Sequence, residues 1–247
     1  MTSKTRRLAR LFAADGKCLV VAMDHAGFMD KPLNGLERPD QVIQAVVPAG
    51  ADAFLLTLGS AQRCAKEIGR AGIWLSVDVQ SPLLERIVET ALRMGVDGIK
   101  CMVYPWCDDA PNSLGNFSAL AADCQAWGMP LMAEVIPGGF SAGPEARAPE
   151  KISAGARVAM EAGADVIKTF YTGDADSFHR ITRNCAVPII VLGGERVAND
   201  QELLLNVQGA LDAGAAGVAI GRNIWGHAHP GEITRALATL VHSGVLV

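Results

Sequence analysis

The chain has 247 residues, is half hydrophobic and 19% charged, and carries a formal net charge of −4. This length suits one large α/β domain with a sizeable core. The acidic balance gives no support for nucleic-acid binding, and no apolar run reaches the roughly 18 residues that a transmembrane helix requires.

Targeting and redox signals point to the cytoplasm. No apolar segment follows the basic residues near the N-terminus, so we expect no signal peptide. The six cysteines form no CxxC pair and show no zinc-ligand spacing. We therefore expect a cytoplasmic protein with reduced thiols and neither a membrane nor a nucleic-acid partner.

Eight short apolar runs alternate with helical patterns along the chain. Near-continuous apolar strands between amphipathic helices indicate a parallel sheet buried on both faces. Eight such units in about 250 residues predict a (β/α)8 TIM barrel, a single α/β domain over residues 1–247. The predicted strands are Cys18–Met23, Ala53–Thr57, Ile73–Val77, Gly98–Val103, Leu131–Val135, Val166–Thr169, Ile189–Leu192 and Gly217–Ile220.

A glycine turn recurs before several of these strands. The pattern predicts that each glycine ends a helix in the left-handed conformation and that a short loop then enters the next strand. The four positions are Gly50, Gly95, Gly163 and Gly214. Longer polar segments follow the strands instead, on the face where a TIM barrel carries its active site. One of them, Gly138–Gly143, is glycine-rich and is interpreted either as a mobile lid or as a plain flexible loop.

Two of the chain's seven lysines, Lys100 and Lys168, lie inside strand-like apolar runs. Desolvating an ammonium is costly, so buried lysines are rare. Burial can lower the pKa of a lysine and leave a neutral amine that attacks carbonyl carbons. A structural ion pair would also explain one buried lysine. Two of them beside acids favour Schiff-base chemistry, with Lys168 as the nucleophile and Lys100 as its pKa-lowering or hydrogen-bonding partner.

Carboxylates end or follow the neighbouring strands. Asp24 ends the first predicted strand and Glu134 lies in the fifth, where either can move protons during the reaction. Asp78 follows the third strand and either belongs to the site or caps the helix that begins at Ser81-Pro82. The first histidine, His25, orients the first loop or touches the substrate. The pair Asp24-His25 lacks the further ligands of a zinc site, so we expect no metal.

The last two strands end in glycine-rich turns. Gly193 and Gly194 follow the seventh strand, and Gly221 and Arg222 follow the eighth. Loops at these places in TIM barrels often bind phosphate, because glycine allows close approach of the backbone and arginine adds a charged fork. Glycines also serve ordinary tight turns, so each turn alone is a weak signal. Together they predict a phosphate site.

Several motifs resemble the class I aldolase superfamily, which includes the archaeal-type fructose-bisphosphate, tagatose-bisphosphate and deoxyribose-phosphate aldolases. The resemblance covers nearly the whole chain in the expected strand order. The motifs that carry it are Ala22-Met23-Asp24-His25, Val166-Ile167-Lys168-Thr169, Tyr171-Thr172-Gly173-Asp174, Leu192-Gly193-Gly194 and Gly221-Arg222-Asn223-Ile224-Trp225.

This resemblance implies that Lys168 is the Schiff-base lysine and Asp24 the acid on the first strand. The archaeal-type fructose-bisphosphate enzymes place a tyrosine acid before a proline after the fifth strand, whereas this chain has Ile136 there. The set of Asp24, Lys100, Glu134 and Lys168 looks more like the tagatose-bisphosphate and sulfofructose-phosphate aldolases, with Glu134 as the acid and base. Fructose 1,6-bisphosphate is therefore in doubt as the substrate.

The leading hypothesis is a metal-independent, cofactor-free aldolase that acts on a phosphorylated ketose or related ketone. The expected products are a three-carbon fragment, such as dihydroxyacetone phosphate, and an aldehyde. One alternative keeps the lysine but transfers an acyl group, as in the phospho-autoinducer-2 thiolase. Another is a non-catalytic phosphosugar sensor on the same scaffold. A homo-oligomer is expected, without a defined number of subunits.

Overall fold

The computed structural model describes residues 3–246, in which eight parallel strands close into a barrel in chain order. Each strand pairs with the next, and the last pairs with the first. This is the predicted single-domain TIM barrel. The strands are β1 Cys18–Ala22, β2 Ala53–Leu56, β3 Gly72–Asp78, β4 Gly98–Val103, β5 Leu131–Val135, β6 Val166–Thr169, β7 Ile189–Leu192 and β8 Gly217–Ile220.

Helices follow the strands and surround the barrel. Three short 3₁₀ helices interrupt the loops at His25–Gly27, Pro82–Arg86 and Pro144–Arg147. The α-helices are α1 Ser3–Leu11, α2 Pro39–Val46, α3 Leu58–Arg63, α4 Ala65–Ile68, α5 Ile87–Met94, α6 Ser113–Trp127, α7 Pro149–Glu161, α8 Ala175–Arg183, α9 Asp200–Asp212, α10 Arg222–Trp225 and α11 Pro230–Ser243.

The predicted strand bounds agree with the observed ones to within one residue at each end. The first two strands end one residue earlier than predicted, and β3 gains Gly72 and Asp78. Thr57 leaves the strand because it caps α3, where its hydroxyl accepts a hydrogen bond from the Ser60 N–H. The threonine therefore serves as a helix cap and not as a strand residue.

Apolar side chains on alternate strand positions fill the floor of the barrel. Trp74 of β3 is fully buried there, and it packs with Val20, Met132 and Ile190 from three other strands. A Cβ at Gly98 of the neighbouring β4 would collide with the Trp74 ring. The small residue and the large one thus fit each other, and the floor is a packed core and not a channel.

The four predicted turn glycines all have positive φ, between 70° and 105°. In three of these turns the aspartate two residues later accepts the backbone N–H of a residue in the strand before it. The bonds run from Leu19 to Asp52 at 2.6 Å, from Ile73 to Asp97 at 3.1 Å and from Leu131 to Asp165 at 2.9 Å. The repeated turn therefore fixes the lower ends of neighbouring strands as well as ending a helix.

Across residues 3–246, no helix combines the length and the apolar character that a membrane crossing demands.

Candidate active site

Strand register brings the predicted polar residues together at the open end of the barrel. Glu134 lies directly opposite Lys168 on the neighbouring strand, and Lys100 lies opposite Ser76. Since side chains alternate along a strand, these even-numbered positions point into the barrel above the packed floor. Asp24 follows β1 by two residues and joins the same layer.

A continuous chain of charges links the two lysines. The Glu134 carboxylate lies between them, with Oε1 2.6 Å from Lys168 Nζ and Oε2 2.6 Å from Lys100 Nζ. The Lys100 ammonium is also 2.8 Å from Asp24 Oδ2. Ser76 donates its hydroxyl to that same oxygen at 2.6 Å. The structure thus places all four predicted catalytic side chains in one cluster.

The two lysines differ in environment. Lys100 has no exposed surface and sits between two carboxylates. Burial alone would lower its pKa, but the charges of Asp24 and Glu134 outweigh burial and raise the pKa well above its usual value. Lys100 is therefore a permanent ammonium. Lys168 has one carboxylate partner and lies on the wall of the cavity described below.

The two carboxylates stay ionised for the complementary reason. Burial by itself would raise the pKa of each, yet the ammonium charges of Lys100 and Lys168 outweigh it. The pKa of Asp24 is held far below its usual value, and that of Glu134 is also lowered. Of the two carboxylates, Glu134 contacts the lysine on the cavity wall, so it can exchange protons with Lys168.

A cavity of about 380 Å³ opens above this cluster, a volume in the range of small-ligand sites. Lys168 and Glu134 line it, whereas Asp24 and Lys100 lie behind them and are not among the described residues of its wall. His25 lines the first-strand side, with Nδ1 3.9 Å from Asp24 Oδ1. Burial lowers the pKa of His25, which favours its neutral imidazole.

The predicted phosphate residues lie together on one wall of the same cavity, formed by Gly193, Gly194, Gly221 and Arg222. A Cβ at Gly221 would collide with the His25 ring and the Ala22 carbonyl, so only glycine fits between the first and last strands. We call this wall, with its two glycine turns and its guanidinium, the cradle.

Two side chains hold the cradle in shape. Asn223 is buried and donates to the carbonyls of Gly193 and Glu195 at 3.1 and 3.0 Å, while its oxygen accepts the Val197 N–H at 3.0 Å. Arg222 donates to the Gly194 carbonyl at 2.9 Å and to the Glu195 carboxylate at 2.5 Å. The backbone of the β7 turn is therefore fixed before any ligand binds.

Two loops contribute aromatic rings to the mouth of the cavity. Phe28 from the first loop and Phe140 from the Gly138–Gly143 segment stack with centroids 5.8 Å apart and planes 14° apart. Tyr104 packs its edge against Phe140 at 5.9 Å. Both phenylalanines line the cavity and remain about half exposed. The glycine-rich segment thus carries an apolar contact over the entrance, and its mobility remains a prediction.

Asp78 has neither of its two predicted roles, which were a site residue and the cap of the helix that follows β3. Its carboxylate accepts hydrogen bonds from the Tyr104 hydroxyl and from the Gln80 N–H, and it lies outside the described lining of the cavity. The cap of the following 3₁₀ helix is Ser81, whose hydroxyl accepts the Leu83 N–H at 3.2 Å. Asp78 therefore stabilises the turn and orients Tyr104.

Sequence reasoning missed four side chains of this site: Ser76, Phe28, Phe140 and Glu195. Ser76 lies at an inward strand position two residues before Asp78, so strand alternation offered a signal for it. The stacking of Phe28 on Phe140 and the pairing of Glu195 with Arg222 join loops that are remote in sequence. No local pattern encodes those two contacts.

Among the described residues, no group of three histidine, cysteine, aspartate or glutamate side chains is arranged to hold a metal ion.

A parallel eight-stranded barrel with an amine and a carboxylate in contact at its open end can carry the Schiff-base chemistry of a class I aldolase. Comparison with known proteins agrees. Residues 18–227 match the DeoC/LacD family aldolase model, so the chain belongs to this family of carbon–carbon lyases.

Curated relatives cover almost the whole chain. A 2-amino-3,7-dideoxy-D-threo-hept-6-ulosonate synthase of Halobacterium salinarum is 34% identical over 97% of this chain and 91% of its own length. The class 1 fructose-bisphosphate aldolase of Thermoproteus tenax is 29% identical over 99% of this chain and 97% of its own. Relatives with differently named activities are thus similar to this chain at comparable levels.

Solved structures of aldolases are also similar to this chain over nearly its whole length. An archaeal fructose 1,6-bisphosphate aldolase superposes with a TM-score of 0.84 at 28% identity, covering 98% of this chain and all of the other. Another structure of an archaeal fructose-1,6-bisphosphate aldolase, with its catalytic lysine covalently bound to the carbinolamine intermediate, gives a TM-score of 0.83 at 28% identity and covers 96% of this chain and 99% of the other.

Proposed function

We propose that this aldolase cleaves or forms a carbon–carbon bond in a phosphorylated ketose or related ketone, with Lys168 as the Schiff-base nucleophile. The observation that carries the proposal is the asymmetry of the two buried lysines. Lys100 is locked as an ammonium between Asp24 and Glu134, whereas Lys168 faces the cavity beside a single carboxylate. Of these two amines, Lys168 is the one that a substrate in the cavity reaches.

The first half of the reaction forms the iminium. Glu134 takes a proton from the Lys168 ammonium across their 2.6 Å contact, which frees the nitrogen lone pair. The neutral amine attacks the ketone carbon, and a proton moves from its nitrogen to the former carbonyl oxygen to give a neutral carbinolamine. That hydroxyl leaves as water after a second protonation, and a carbon–nitrogen double bond with a positive charge remains.

The second half breaks the carbon–carbon bond. A carboxylate removes the proton of the hydroxyl on the carbon beyond the bond, and that carbon becomes the aldehyde. The bond's electron pair moves into the iminium and gives an enamine on Lys168. Protonation of the enamine carbon and addition of water then release the ketone fragment. Lys100 stays charged throughout and stabilises Glu134 in the ionised form that accepts protons.

The cradle supports a phosphate ester as the second recognition element. Glycine turns from β7 and β8 and the Arg222 guanidinium share the cavity wall with Lys168. A relative in Streptomyces griseus, 30% identical over 98% of this chain, is a 2-amino-4,5-dihydroxy-6-oxo-7-(phosphonooxy)heptanoate synthase. Its name and that of fructose bisphosphate share a phosphate ester and a ketone, and a three-carbon fragment such as dihydroxyacetone phosphate contains both groups.

The test is reductive trapping. We would incubate the protein with dihydroxyacetone phosphate or with phosphorylated ketoses, add borohydride and map the adduct by mass spectrometry. The expected adduct lies on Lys168 and is lost in Lys168→Ala, while the surface variant Lys151→Ala traps normally. An adduct on Lys100 would exchange the roles of the two lysines.

Turnover then separates the proposed reaction from its alternatives. Release of an aldehyde from a trapped ketose supports aldol cleavage. Formation of an acyl-CoA from the same incubation would instead support acyl transfer. Phosphosugar binding with no adduct on any lysine would refute the Schiff base and favour a sensor.

A further inference from the structure

The cradle already contains an anion that belongs to the protein. Glu195 Oε2 lies 2.5 Å from Arg222 Nη1, while Arg222 Nη2 donates to the Gly194 carbonyl at 2.9 Å. Within residues 3–246 the remaining guanidinium nitrogen, Nε, is buried without a hydrogen-bond partner. The positive charge available for a phosphate is thus partly neutralised by the same loop that supplies the glycines.

The two partners of this ion pair differ in how firmly they are held. The Arg222 side chain is 26% exposed, whereas the Glu195 side chain is 87% exposed. Asn223 fixes the backbone on both sides of Glu195, through its contacts to Gly193, Glu195 and Val197. Moving the carboxylate away therefore requires only a side-chain rotation into water, with no rearrangement of the turn.

When a phosphate replaces Glu195 at Arg222, one ionic contact of the guanidinium is exchanged for another. An exposed ion pair is weak and changes an equilibrium constant by at most about 5-fold. A phosphate group carries close to two negative charges and three acceptor oxygens, so it binds a guanidinium more strongly than a carboxylate does. Free phosphate competes with Glu195 for Arg222 only at the concentration that phosphate has in solution. A substrate already attached to Lys168 presents its phosphate at a much higher effective concentration.

We propose that Glu195 is a specificity-determining residue that competes with free phosphate for Arg222 and yields to the phosphate of a substrate held at Lys168. This rests on the proposed function, because it requires the cradle to bind phosphate. Glu195 then keeps inorganic phosphate from occupying the empty enzyme. A substrate attached to Lys168 is expected to lose little affinity to this competition, because the attachment raises the effective concentration of its phosphate.

The test compares Glu195→Gln and Glu195→Ala with the wild-type protein in a calorimetric titration with inorganic phosphate. Both variants are expected to bind phosphate about 2- to 5-fold more tightly, the factor that corresponds to the upper part of the range for an exposed pair. The matched control is Glu161→Gln, which removes another exposed glutamate–arginine pair, with Arg157 on α7 at 2.6 Å. Its phosphate affinity is expected to equal that of the wild type.

A second readout separates this inference from the proposed function. In the wild-type protein, the rate of borohydride trapping with dihydroxyacetone phosphate tests the Schiff base and is expected to exceed the rate with dihydroxyacetone. Inorganic phosphate is expected to slow that trapping at lower concentrations in Glu195→Gln than in the wild type. Equal phosphate affinity in the wild type and both variants would overturn the role of Glu195 while the trapping result stands. If the wild-type protein gave no borohydride adduct with dihydroxyacetone phosphate, the proposed function would be overturned.

Discussion

Glu134 and Lys168 face each other across neighbouring strands, and their carboxylate and amine lie 2.6 Å apart at the mouth of the barrel. The register of two parallel strands fixes this contact, so it does not depend on a loop. A proton acceptor is therefore positioned against the proposed nucleophile before any substrate enters.

Glu134→Gln removes that acceptor with little change in size. We expect the turnover number to fall about 10²- to 10⁴-fold, the usual contribution of a positioned acid or base. Borohydride adducts on Lys168 should still form, more slowly, because the amine remains. Steady-state kinetics with parallel trapping measures both effects, and Glu150→Gln on the surface of α7 is the control. An unchanged turnover number would remove Glu134 from the mechanism.

Lys100→Met leaves the carboxylates of Asp24 and Glu134 buried without their shared cation. Breaking a buried ion pair from one side typically costs about 3–5 kcal/mol, so the free energy of unfolding should fall by that amount. Urea denaturation at pH 7 gives the value. In the double variant with Glu134→Gln the loss should be smaller than the sum of the two single losses, because one stranded charge is gone. Strict additivity would show that Lys100 and Glu134 are not coupled.

The ion cluster also predicts how stability depends on pH. Asp24 and Glu134 have lower pKa values in the folded than in the unfolded protein, so the unfolded chain binds more protons in acid and stability rises with pH. Their contribution is complete above the unfolded values near pH 4 and is lost as the pH falls toward the folded ones. In urea denaturation at pH 7, 5 and 3, the lowered pKa of His25 should produce a modest decline between pH 7 and 5, and the two carboxylates should add a steeper one below about pH 5.

Ser76→Ala tests the same cluster from its other end. The variant removes the hydroxyl that donates to Asp24, which should raise the folded pKa of that carboxyl and cost about 1 kcal/mol at pH 7. The decline in acid should begin at the same pH as in the wild type, because the unfolded chain sets its onset, but it should be smaller in total, because the folded pKa of Asp24 lies closer to the unfolded value. A variant with wild-type stability at both pH 7 and pH 3 would contradict the proposed coupling.

Phe140→Ala removes one ring of the stacked pair at the cavity entrance. Aromatic pairs contribute about 0.5–1.5 kcal/mol beyond their buried area, so the Michaelis constant for a phosphorylated ketose should rise about 2- to 12-fold. The turnover number should change less, since the ring has no group that exchanges protons. Phe140→Leu keeps apolar bulk and should lie between the two. Equal Michaelis constants in all three proteins would exclude the pair from substrate binding.

The sequence was sufficient for the barrel because its signals are local and repeat along the chain. Apolar runs, glycine turns and alternation predicted every strand to within one residue at each end. Lys100, Glu134 and Lys168 were recognisable because charged residues inside apolar runs are anomalous wherever the fold places them. Since strand order determines which side chains become neighbours, recognising the barrel also implied the cluster.

Contacts between loops could not be read in the same way. The stacking of Phe28 on Phe140 depends on how two long segments bend over the mouth, and neither ring has a partner near it in sequence. The pairing of Glu195 with Arg222 depends on the rotamers of two side chains that are 27 positions apart in the sequence. Asp78 was ambiguous for a related reason, because its partner Tyr104 comes from the next strand's loop.

Closure of the barrel has a consequence for how the enzyme is made. The Trp225 indole donates to the Ala22 carbonyl at 3.0 Å, a bond between residues 203 positions apart, and Gly221 rests against His25. The cradle and the first-strand loop are therefore completed only when the final strand docks. During synthesis, a nascent chain that has emerged as far as β7 contains both lysines yet lacks half of the proposed phosphate wall. Catalytic activity then becomes a late reporter of folding, acquired only after the last βα unit is in place.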